Sequence, residues 1–343
     1  MQPQFRLSGV QGAITGPSGR AIKCEYIDES GGDDDKVILT VDDRLGELVV
    51  PMIGDEVTLE MGYIETGLFK MGTFKIKTVK LAGWGQWMEI EATGTDLGTG
   101  KMKEQDTENF TGNTIKEIVE KKAKIGGLTA KVGPDIGATK INYRAQTGES
   151  HLHFLKRLAN DYGGTVKTTN GFLTFMKTGS GVGLSGAVAH YPFNVKTYAA
   201  TLDGRFDHND TPQGGWVNSD KGERHEAKVP PIPSRNPIRQ PEAKIRLSPF
   251  WPDGENQAKL AATAQASKLS RMAGFLNIVL IGDPTIFAEA TLTVINVRKY
   301  VDGDWLIKKA IHVIDEKGYE TVIQAEYPGE EGGSGGKVWK KKK

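Results

Sequence analysis

The sequence predicts an α+β fold dominated by β-structure: two similar β-barrel-like modules, a small α+β insert between them and an extended proline-rich arm. Two observations carry this prediction. Segments near both ends of the chain alternate apolar and polar residues, which is the period of two expected of half-buried strands. Between those ends the apolar residues recur at helical spacing, and the prolines are concentrated in a single stretch.

Residues 1–95 are predicted to form the first β-barrel-like module. Its three-strand meander is assigned to residues 55–63, 68–80 and 87–93. In the second of these strands Phe74, Ile76 and Thr78 are predicted to share one face of the sheet, because they alternate with residues of the other face.

A similar meander ends the second module. It is assigned to residues 287–300, 304–315 and 319–327. Mid-strand apolar residues have similar spacing at the two ends, 15 and 16 residues for Leu59, Phe74 and Ile90, and 14 and 16 for Leu292, Leu306 and Val322. Two similar modules in one chain predict a subunit that mimics a dimer, and a ring of such subunits would present twice as many modules as chains.

Residues 96–180 are predicted to form the α+β insert. Two helices and a hairpin are assigned to it, over 113–124, 150–162 and 164–177. Thr114 and Glu117 have the spacing of a capping box at the start of the first helix. Asn170-Gly171 is a strong signal for the turn of the hairpin.

Residues 181–255 are predicted to contain the start of the second module and the arm. Seven of the 15 prolines lie between Pro230 and Pro252, and proline cannot donate a backbone hydrogen bond to a strand ladder. An arm that reaches across a neighbouring subunit and a long surface loop both agree with this composition. Residues 256–328 are assigned to an alanine-rich helix and the second β-barrel-like module, and 329–343 to a flexible basic tail.

The composition narrows the class of protein. Basic and acidic residues nearly balance, at 44 and 43 of 343, so the net charge gives no reason to expect nucleic acid, a membrane or acidic ligands as partners. Cys24 is the single cysteine, so a disulfide within the chain is impossible. The N-terminus lacks the apolar stretch of a signal peptide, and no run reaches the roughly 20 apolar residues of a membrane helix. A soluble protein of a reducing compartment is expected.

Two glycine-rich segments resemble nucleotide-binding motifs without meeting their requirements. The segment 181–186 has the spacing G-x-G-x-x-G, but no helical pattern follows it. Residues 94–101 resemble a P-loop, but Thr95 replaces its first glycine and Met102 replaces the Ser or Thr that holds magnesium. No cofactor is therefore predicted.

No metal site is predicted. His151 and His153 lie two apart on a predicted helix and so point to different faces, and His312 is expected to be a core or interface residue of a strand. The acidic triplet Asp33–Asp35 lacks the Gly and Glu of a calcium-binding loop. A solvated hairpin loop is its preferred interpretation.

No catalytic residues are predicted either. Glu149 and Asp161 form the best acid pair, but they bracket one helix and would lie about 18 Å apart. That exceeds the roughly 10 Å of glycosidase carboxylate pairs. A cell-wall hydrolase, and a carbohydrate-binding module that uses Trp84, Trp87 or Trp251, are the alternatives to a structural protein.

An ordered series of motifs runs through the chain. Gln146–Gly163 (QTGESHLHFLKRLANDYG) is a polar lead and a helix, and Gly171–Phe175 (GFLTF) follows it in a hairpin. The C-terminal half continues the series with Ile281–Pro284, Gly303–Ile307, Ile311–Val313 and Gly318–Thr321. Over residues 50–327 this series resembles the late control protein D family, the tail or baseplate hub proteins of contractile-tailed phages and related injection systems.

The resemblance implies a non-enzymatic, homotrimeric adaptor that joins the hexameric tail tube to a trimeric central spike by pseudo-six-fold symmetry. Its expected partners are further copies of itself, the tube protein and the spike protein, together with tape-measure and baseplate wedge proteins. A membrane is not among them, and DNA would be a partner only if it passes through the lumen. Synthesis in the bacterial cytoplasm and a place in the baseplate of a virion or headless tail are expected, and a tail-tip hydrolase is the alternative.

Two departures from the family pattern are visible. Type VI relatives fuse the hub to a long spike, whereas this chain offers no segment for one, so the spike is expected to be a separate chain. Ala288-Glu289-Ala290 stands where the family has a glycine, and a harmless loop variation is expected there.

Overall fold

The computed structural model of the chain describes residues 1–9, 14–16, 20–31, 35–83, 86–94, 99–169, 171–179, 187–203, 213–218, 221, 223–228 and 255–328. The segment 181–186, the stretch from Pro230 to Pro252 and the tail 329–343 lie outside the described residues, as do Asp33, Asp34, Trp84 and Trp251. The arm and the tail therefore stay predictions.

Most described residues lie in strands, which confirms the predicted β-dominated α+β fold. The strands are β1 (Pro3–Ser8), β2 (Ile14–Gly16), β3 (Ala21–Glu29), β4 (Lys36–Asp42), β5 (Glu56–Tyr63), β6 (Gly67–Ala82), β7 (Trp87–Gly94), β8 (Gln105–Thr111), β9 (Thr129–Val132), β10 (Tyr143–Ser150), β11 (Gly164–Thr169), β12 (Phe172–Lys177), β13 (Ala187–His190), β14 (Val195–Leu202), β15 (Gln213–Asn218), β16 (Glu223–Lys228), β17 (Gly274–Ile281), β18 (Thr291–Ile295), β19 (Gly303–Asp315) and β20 (Gly318–Glu326). The helices are α1 (Thr99–Met102), α2 (Ile115–Gly126), α3 (Pro134–Gly137), α4 (His151–Asp161) and α5 (Glu255–Met272).

Within the described part of the chain, one sheet of 13 strands connects the first module to the second. Its main path runs in the order β14-β17-β20-β19-β3-β4-β7-β6-β5-β1-β2, and β18 joins β13 to β19. At the far end β2 lies beside β3 without paired residues, so within the described residues the barrel-like curve of the first module does not close.

Two five-strand units within this sheet share one topology. The first unit has the order β3-β4-β7-β6-β5 and the second the order β14-β17-β20-β19-β18. In chain order each unit is two strands followed by a meander, and all neighbours inside both units are antiparallel. The predicted meanders near the two ends of the chain are both present, but the strand predicted over 287–300 is shorter and spans only Thr291–Ile295.

The equivalence of the units extends to their irregularities. A β-bulge interrupts β3 between Ala21 and Lys23, and the equivalent strand β14 has its bulge between Val195 and Thr197. A second bulge interrupts β6 after Ile76, and β19 has one after Ile307. A bulge re-aims the strand that carries it, so the two matching bulges give the two units the same bends at these two places. A further bulge between β5 and β6 has no counterpart between β18 and β19.

The bulges fix which residues are equivalent. Lys77 of β6 corresponds to Lys308 of β19, and Ala21 of β3 to Val195 of β14. The buried residues Leu59, Phe74 and Ile90 correspond to the buried residues Val294, Trp305 and Ile323. Leu292, Leu306 and Val322 are therefore not the structural counterparts of the first three, because sequence spacing ignores the bulges.

The same bulge corrects one detail of the first meander. Thr78 was predicted to share a face with Phe74 and Ile76, but it is exposed, while Val79 packs against the core. One extra residue at the bulge inverts the alternation beyond Ile76.

The described residues form three clusters of buried apolar side chains. One lies in the first module, one in the second and one in the insert. Ile314 and Tyr319, from the end of the chain, belong to the first of these clusters. The domain boundaries predicted from the sequence stay predictions, but the two modules share side chains at their border.

The insert contains the predicted elements. Thr114 caps α2: its side chain accepts a hydrogen bond from the Glu117 N–H, and the Glu117 carboxylate accepts one from the Thr114 N–H. Gly127 ends the helix with a left-handed backbone, at φ 68°. The hairpin of β11 and β12 is antiparallel and pairs in parallel with β9.

Candidate functional site: a closed junction and two open strand edges

The two units meet where β3 pairs with the second half of β19. Residues 309–315 of β19 run antiparallel to residues 23–29 of β3. Tyr26 lies directly opposite His312, and the two buried rings stack with their centroids 5.8 Å apart. This internal junction makes one continuous sheet of the two units.

His312 is a neutral core residue of this junction. Its Nε2 lies 2.9 Å from the Ile286 carbonyl and its Nδ1 lies 2.9 Å from the Tyr319 hydroxyl. Because a carbonyl can only accept, Nε2 carries the proton and Nδ1 accepts from Tyr319. Burial lowers the pKa of His312 to about 4. The sequence interpretation of a core or interface histidine agrees with this position.

A buried charged cluster ties the insert to both modules at the same place. Lys167 of β11 reaches the Asp28 carboxylate of β3 and lies 2.9 Å from Asp35 Oδ1. The second oxygen of Asp28 accepts a hydrogen bond of 2.8 Å from the Ala288 N–H of the second module. Three parts of the chain are thus held by one lysine and two carboxyl groups.

The two carboxyl groups of the cluster titrate differently. Burial raises the pKa of Asp35 to about 7, and the Asp28 carboxylate beside it adds to that shift. The pKa of Asp28 is lowered, because Lys167 and the Ala288 N–H stabilise its charge against the cost of burial. Asp35 was predicted to belong to a solvated loop, and that prediction is wrong for this residue, which is buried.

Glu289 adds a second contact between the same parts. Its backbone has a left-handed conformation, at φ 67°, which costs a non-glycine residue about 1–3 kcal/mol. The Gly179 N–H and the Ser30 side chain lie close enough to its carboxylate to favour the charged form, and they oppose the effect of burial on its pKa. Burial raises the pKa of Glu289. The residue is therefore a contact of the junction, not the harmless loop variation expected from the sequence.

Tyr63 and Tyr319 both contact Gly282, where the two modules meet. The Tyr63 hydroxyl donates a hydrogen bond of 2.8 Å to the Gly282 carbonyl, and the ring of Tyr319 lies against the Gly282 backbone. A Cβ atom at Gly282 would fall 2.0 Å from that ring. The close approach explains why glycine is needed here.

The second half of β6 forms an open edge of the sheet. β5 pairs with β6 only as far as Lys75. From Thr78 to Ala82 no described strand pairs with that side of β6, although β7 continues along the other side. Leu81 is 62% exposed on this edge.

β14 forms the other open edge. It pairs with β17 on one side, and no other described strand pairs with it. Four consecutive residues of β14, from Lys196 to Ala199, are exposed, and Tyr198 is 40% exposed. Open strand edges are sites at which another chain can add.

The residues considered for chemistry from the sequence do not converge. His151 is buried beside Lys122, whose Nζ donates to its Nδ1 at 3.1 Å, whereas His153 is exposed beside Glu149. Burial and the charge of Lys122 lower the pKa of His151. In the part of the chain that the structure describes, no three His, Cys, Asp or Glu residues form a group that could hold a metal.

Glu149 and Asp161, which were considered and rejected as an acid pair, each form an ion pair with an arginine. Glu149 is paired with Arg157, and Asp161 is paired with Arg144. A cleft of about 340 Å³ between the insert and the second module has charged walls. Arg271 and Glu326, both on the wall formed by the second module, form an ion pair of 3.0 Å. None of the described helices is both long and apolar enough to cross a membrane.

The parts of this site were not all visible in the sequence. The two meanders predicted the units. Nothing marked Asp28 and Lys167 as partners, since they are far apart in the chain and each lies among alternating strand residues. The open edges depend on where the neighbouring strands stop, which a single sequence does not show.

The repeated antiparallel unit with its α+β insert is a fold that this chain shares with solved phage tail proteins. The chain is similar in structure to the 43 kDa tail protein of prophage MuSo2 from Shewanella oneidensis, with a TM-score of 0.69, 16% identity, and coverage of 95% of this chain and 98% of that one. No protein-family model matches the chain.

Sequence relatives give the more particular comparison. The chain is 25% identical over 364 residues to the probable baseplate hub protein of Escherichia phage 186, across 95% of this chain and 93% of the relative. It is also 25% identical over 363 residues to the probable baseplate hub protein of Escherichia phage P2, with the same coverage of both chains. The resemblance to tail and baseplate hub proteins found in the sequence is confirmed.

Proposed function

We propose that the chain is the structural hub of a contractile-tail baseplate, a homotrimer that joins the hexameric tail tube to a trimeric central spike. The observation that supports this most is the repeat of one five-strand unit with its two bulges in place. Three chains then offer six nearly equivalent units, one for each subunit around the end of the tube.

The rest of the chain suits the other face of such an adaptor. The insert occurs once per chain, so three copies present three inserts and not six. A surface with three-fold symmetry is what a trimeric spike requires. The insert is fixed to both units by Lys167 and Glu289, so it would transmit the position of the spike to the ring.

The same proposal implies where the hub is made and which molecules surround it. The hub would be made in the bacterial cytoplasm and built into the baseplate of a virion or a headless tail. Tape-measure and wedge proteins would be its further neighbours, and DNA would touch the hub only while passing through the lumen.

We also propose that the hub works without catalysis. Glu149 and Asp161, the two acidic residues considered for catalysis, are paired with Arg157 and Arg144. A zymogram on peptidoglycan with the purified full chain tests this, and the expected result is no clearing. Clearing that disappears when one carboxylate is replaced would support the hydrolase alternative.

The assembly is tested with the purified full chain at micromolar concentration. Light scattering after size-exclusion chromatography is expected to give about three times the chain mass of 37.3 kDa. Electron micrographs are expected to show rings that bind the end of tubes made from the tube protein of the same phage. A stable monomer that binds neither tube nor spike protein contradicts the proposal.

A further inference from the structure

We propose that β14 of one copy pairs antiparallel with the second half of β6, Thr78–Ala82, of the next copy. This contact would repeat between chains the junction that β3 and β19 form within one chain. The inference rests on the proposed trimer and specifies its interface. The partner is a second copy of this chain, and each contact uses two different edges.

The equivalence of the two units carries the inference. β14 is the counterpart of β3, and β6 is the counterpart of β19. Within the chain, β3 takes the place beside β19 that opens where β18 ends. β6 has the same opening beyond Lys75, where β5 ends, and no described strand fills it.

The matched bulges predict the register of the new contact. In the internal junction Val313 lies opposite Glu25 and His312 opposite Tyr26. Transfer through the equivalent residues pairs Thr78 with Asp203, Val79 with Leu202, Lys80 with Thr201, Leu81 with Ala200 and Ala82 with Ala199.

Exposure at the two edges agrees with this register. Leu81 occupies the position of His312, yet Leu81 is 62% exposed and His312 is 0% exposed. Tyr198 occupies the position of Cys24, and the two are 40% and 0% exposed. The apolar side chains that are exposed on the edges therefore stand at positions that become buried when the partner strand is present.

The two edges also explain how growth would stop. Because β14 and β6 differ, the contact is heterologous, and such a contact gives a ring only if its rotation closes. If the new junction has the geometry of the internal one, each chain contributes two equal steps. Three chains then close a ring of six steps, in agreement with the proposed trimer.

A pair of cysteines tests the register directly. Ala82→Cys and Ala199→Cys are placed in one chain, with the buried Cys24 retained. Residues directly opposite in antiparallel strands have Cα atoms about 4.5–5.5 Å apart, within the range that a disulfide can bridge. The expected result on oxidation is a ladder of covalent dimers and trimers in a denaturing gel, lost on reduction.

The matched controls use the same chemistry. Each single variant is expected to give no cross-link, because the contact joins position 82 of one chain to position 199 of the next and a single variant supplies only one of the two thiols. The pair Ala82→Cys with Thr201→Cys is shifted by two residues, which is about 7 Å along a strand, so cross-linking is expected to fall at least tenfold. Dimers from Ala199→Cys alone would indicate that β14 pairs with itself and would overturn the inference.

A charge on the edge provides a second, independent measurement. Leu81→Glu is expected to weaken the trimer at least tenfold, whereas Leu45→Glu, at another residue exposed by 69%, is expected to leave it unchanged. Trimers that form under reducing conditions but never cross-link through the opposed pair disprove this interface and leave the hub intact. Failure of the unmodified chain to form trimers disproves the proposed function itself.

Discussion

At the scale of single residues, Asp35 makes the stability of the protein depend on pH. Its pKa is raised from the ordinary 3.8 to about 7, so the folded chain binds the extra proton between these values. Stability from this group is fully present below about pH 4 and is lost as the pH rises towards 7. Asp35→Asn removes the buried charge and is expected to raise the free energy of unfolding at pH 8 by a few kcal/mol.

Urea unfolding of the two proteins at pH 5 and pH 8 measures this difference. Asp135→Asn, at an exposed position of α3, is the control. Equal changes for Asp35→Asn at both pH values would show that the carboxyl group keeps its ordinary titration in the junction.

His312 gives a pH dependence of opposite sign. Its pKa is lowered from 6.5 to about 4, so the unfolded chain binds the proton more readily between these values. Stability is therefore lost as the pH falls from 6.5 to 4, by about 3 kcal/mol. In His312→Gln this part of the acid sensitivity should be absent, as followed by unfolding at pH 7 and pH 4.5. His153→Gln, at an exposed position, should behave as the unmodified protein. If His312→Gln also keeps the full acid sensitivity of the unmodified protein, the pKa of His312 is not lowered in the folded state.

Adding one methyl group at Gly282 is expected to lower the stability of the protein, because the residue has no space for it. The ring of Tyr319 leaves no room for a Cβ atom, so Gly282→Ala must displace the ring or the backbone. A loss of about 1–3 kcal/mol is expected from such overpacking. Gly100→Ala is the matched control, because nothing lies within 4 Å of its added Cβ atom. Thermal unfolding of both variants compares them, and equal melting temperatures would refute the constraint.

At the scale of elements, the capping box of α2 was predictable because it is local. Thr114 and Glu117 are three residues apart, and their geometry follows from the start of the helix. Thr114→Ala is expected to cost about 1 kcal/mol, measured by urea unfolding and by hydrogen exchange of α2. Lys116→Ala, on an exposed position of the same helix, should cost little. A smaller loss for Thr114→Ala than for Lys116→Ala would contradict the role of the cap.

Elements whose form depends on distant contacts were predicted less well. The alternation in β6 predicts the correct face up to Ile76 and the wrong one at Thr78, because a bulge has no reliable signature in the residues themselves. Asp35 looked like part of a solvated loop until β11 was placed beside it, since the lysine that neutralises it comes from another part of the chain.

At the scale of the whole molecule, the doubled architecture was visible in the sequence, but its exact correspondence was not. Similar spacing of apolar residues indicated two meanders. That Phe74 is equivalent to Trp305, and Leu59 to Val294, became clear only from the hydrogen-bonded registers. The same registers revealed that one of two equivalent junctions is filled within the chain, and that no described strand fills the other.

The difference between the two open edges has a consequence for mixed populations. A chain with a blocked β14 could still accept a neighbour on β6. The ring that contains this chain could then not close, because its β14 cannot pair with the next copy. If blocked chains make up half of the pool and mix at random, only about one-eighth of the trimers consist of three unmodified chains. Co-expression of Ala199→Pro with the unmodified hub during phage growth is therefore expected to reduce infectious yield far more than twofold, and a titre that falls only in proportion to dilution would argue for chains that assemble independently.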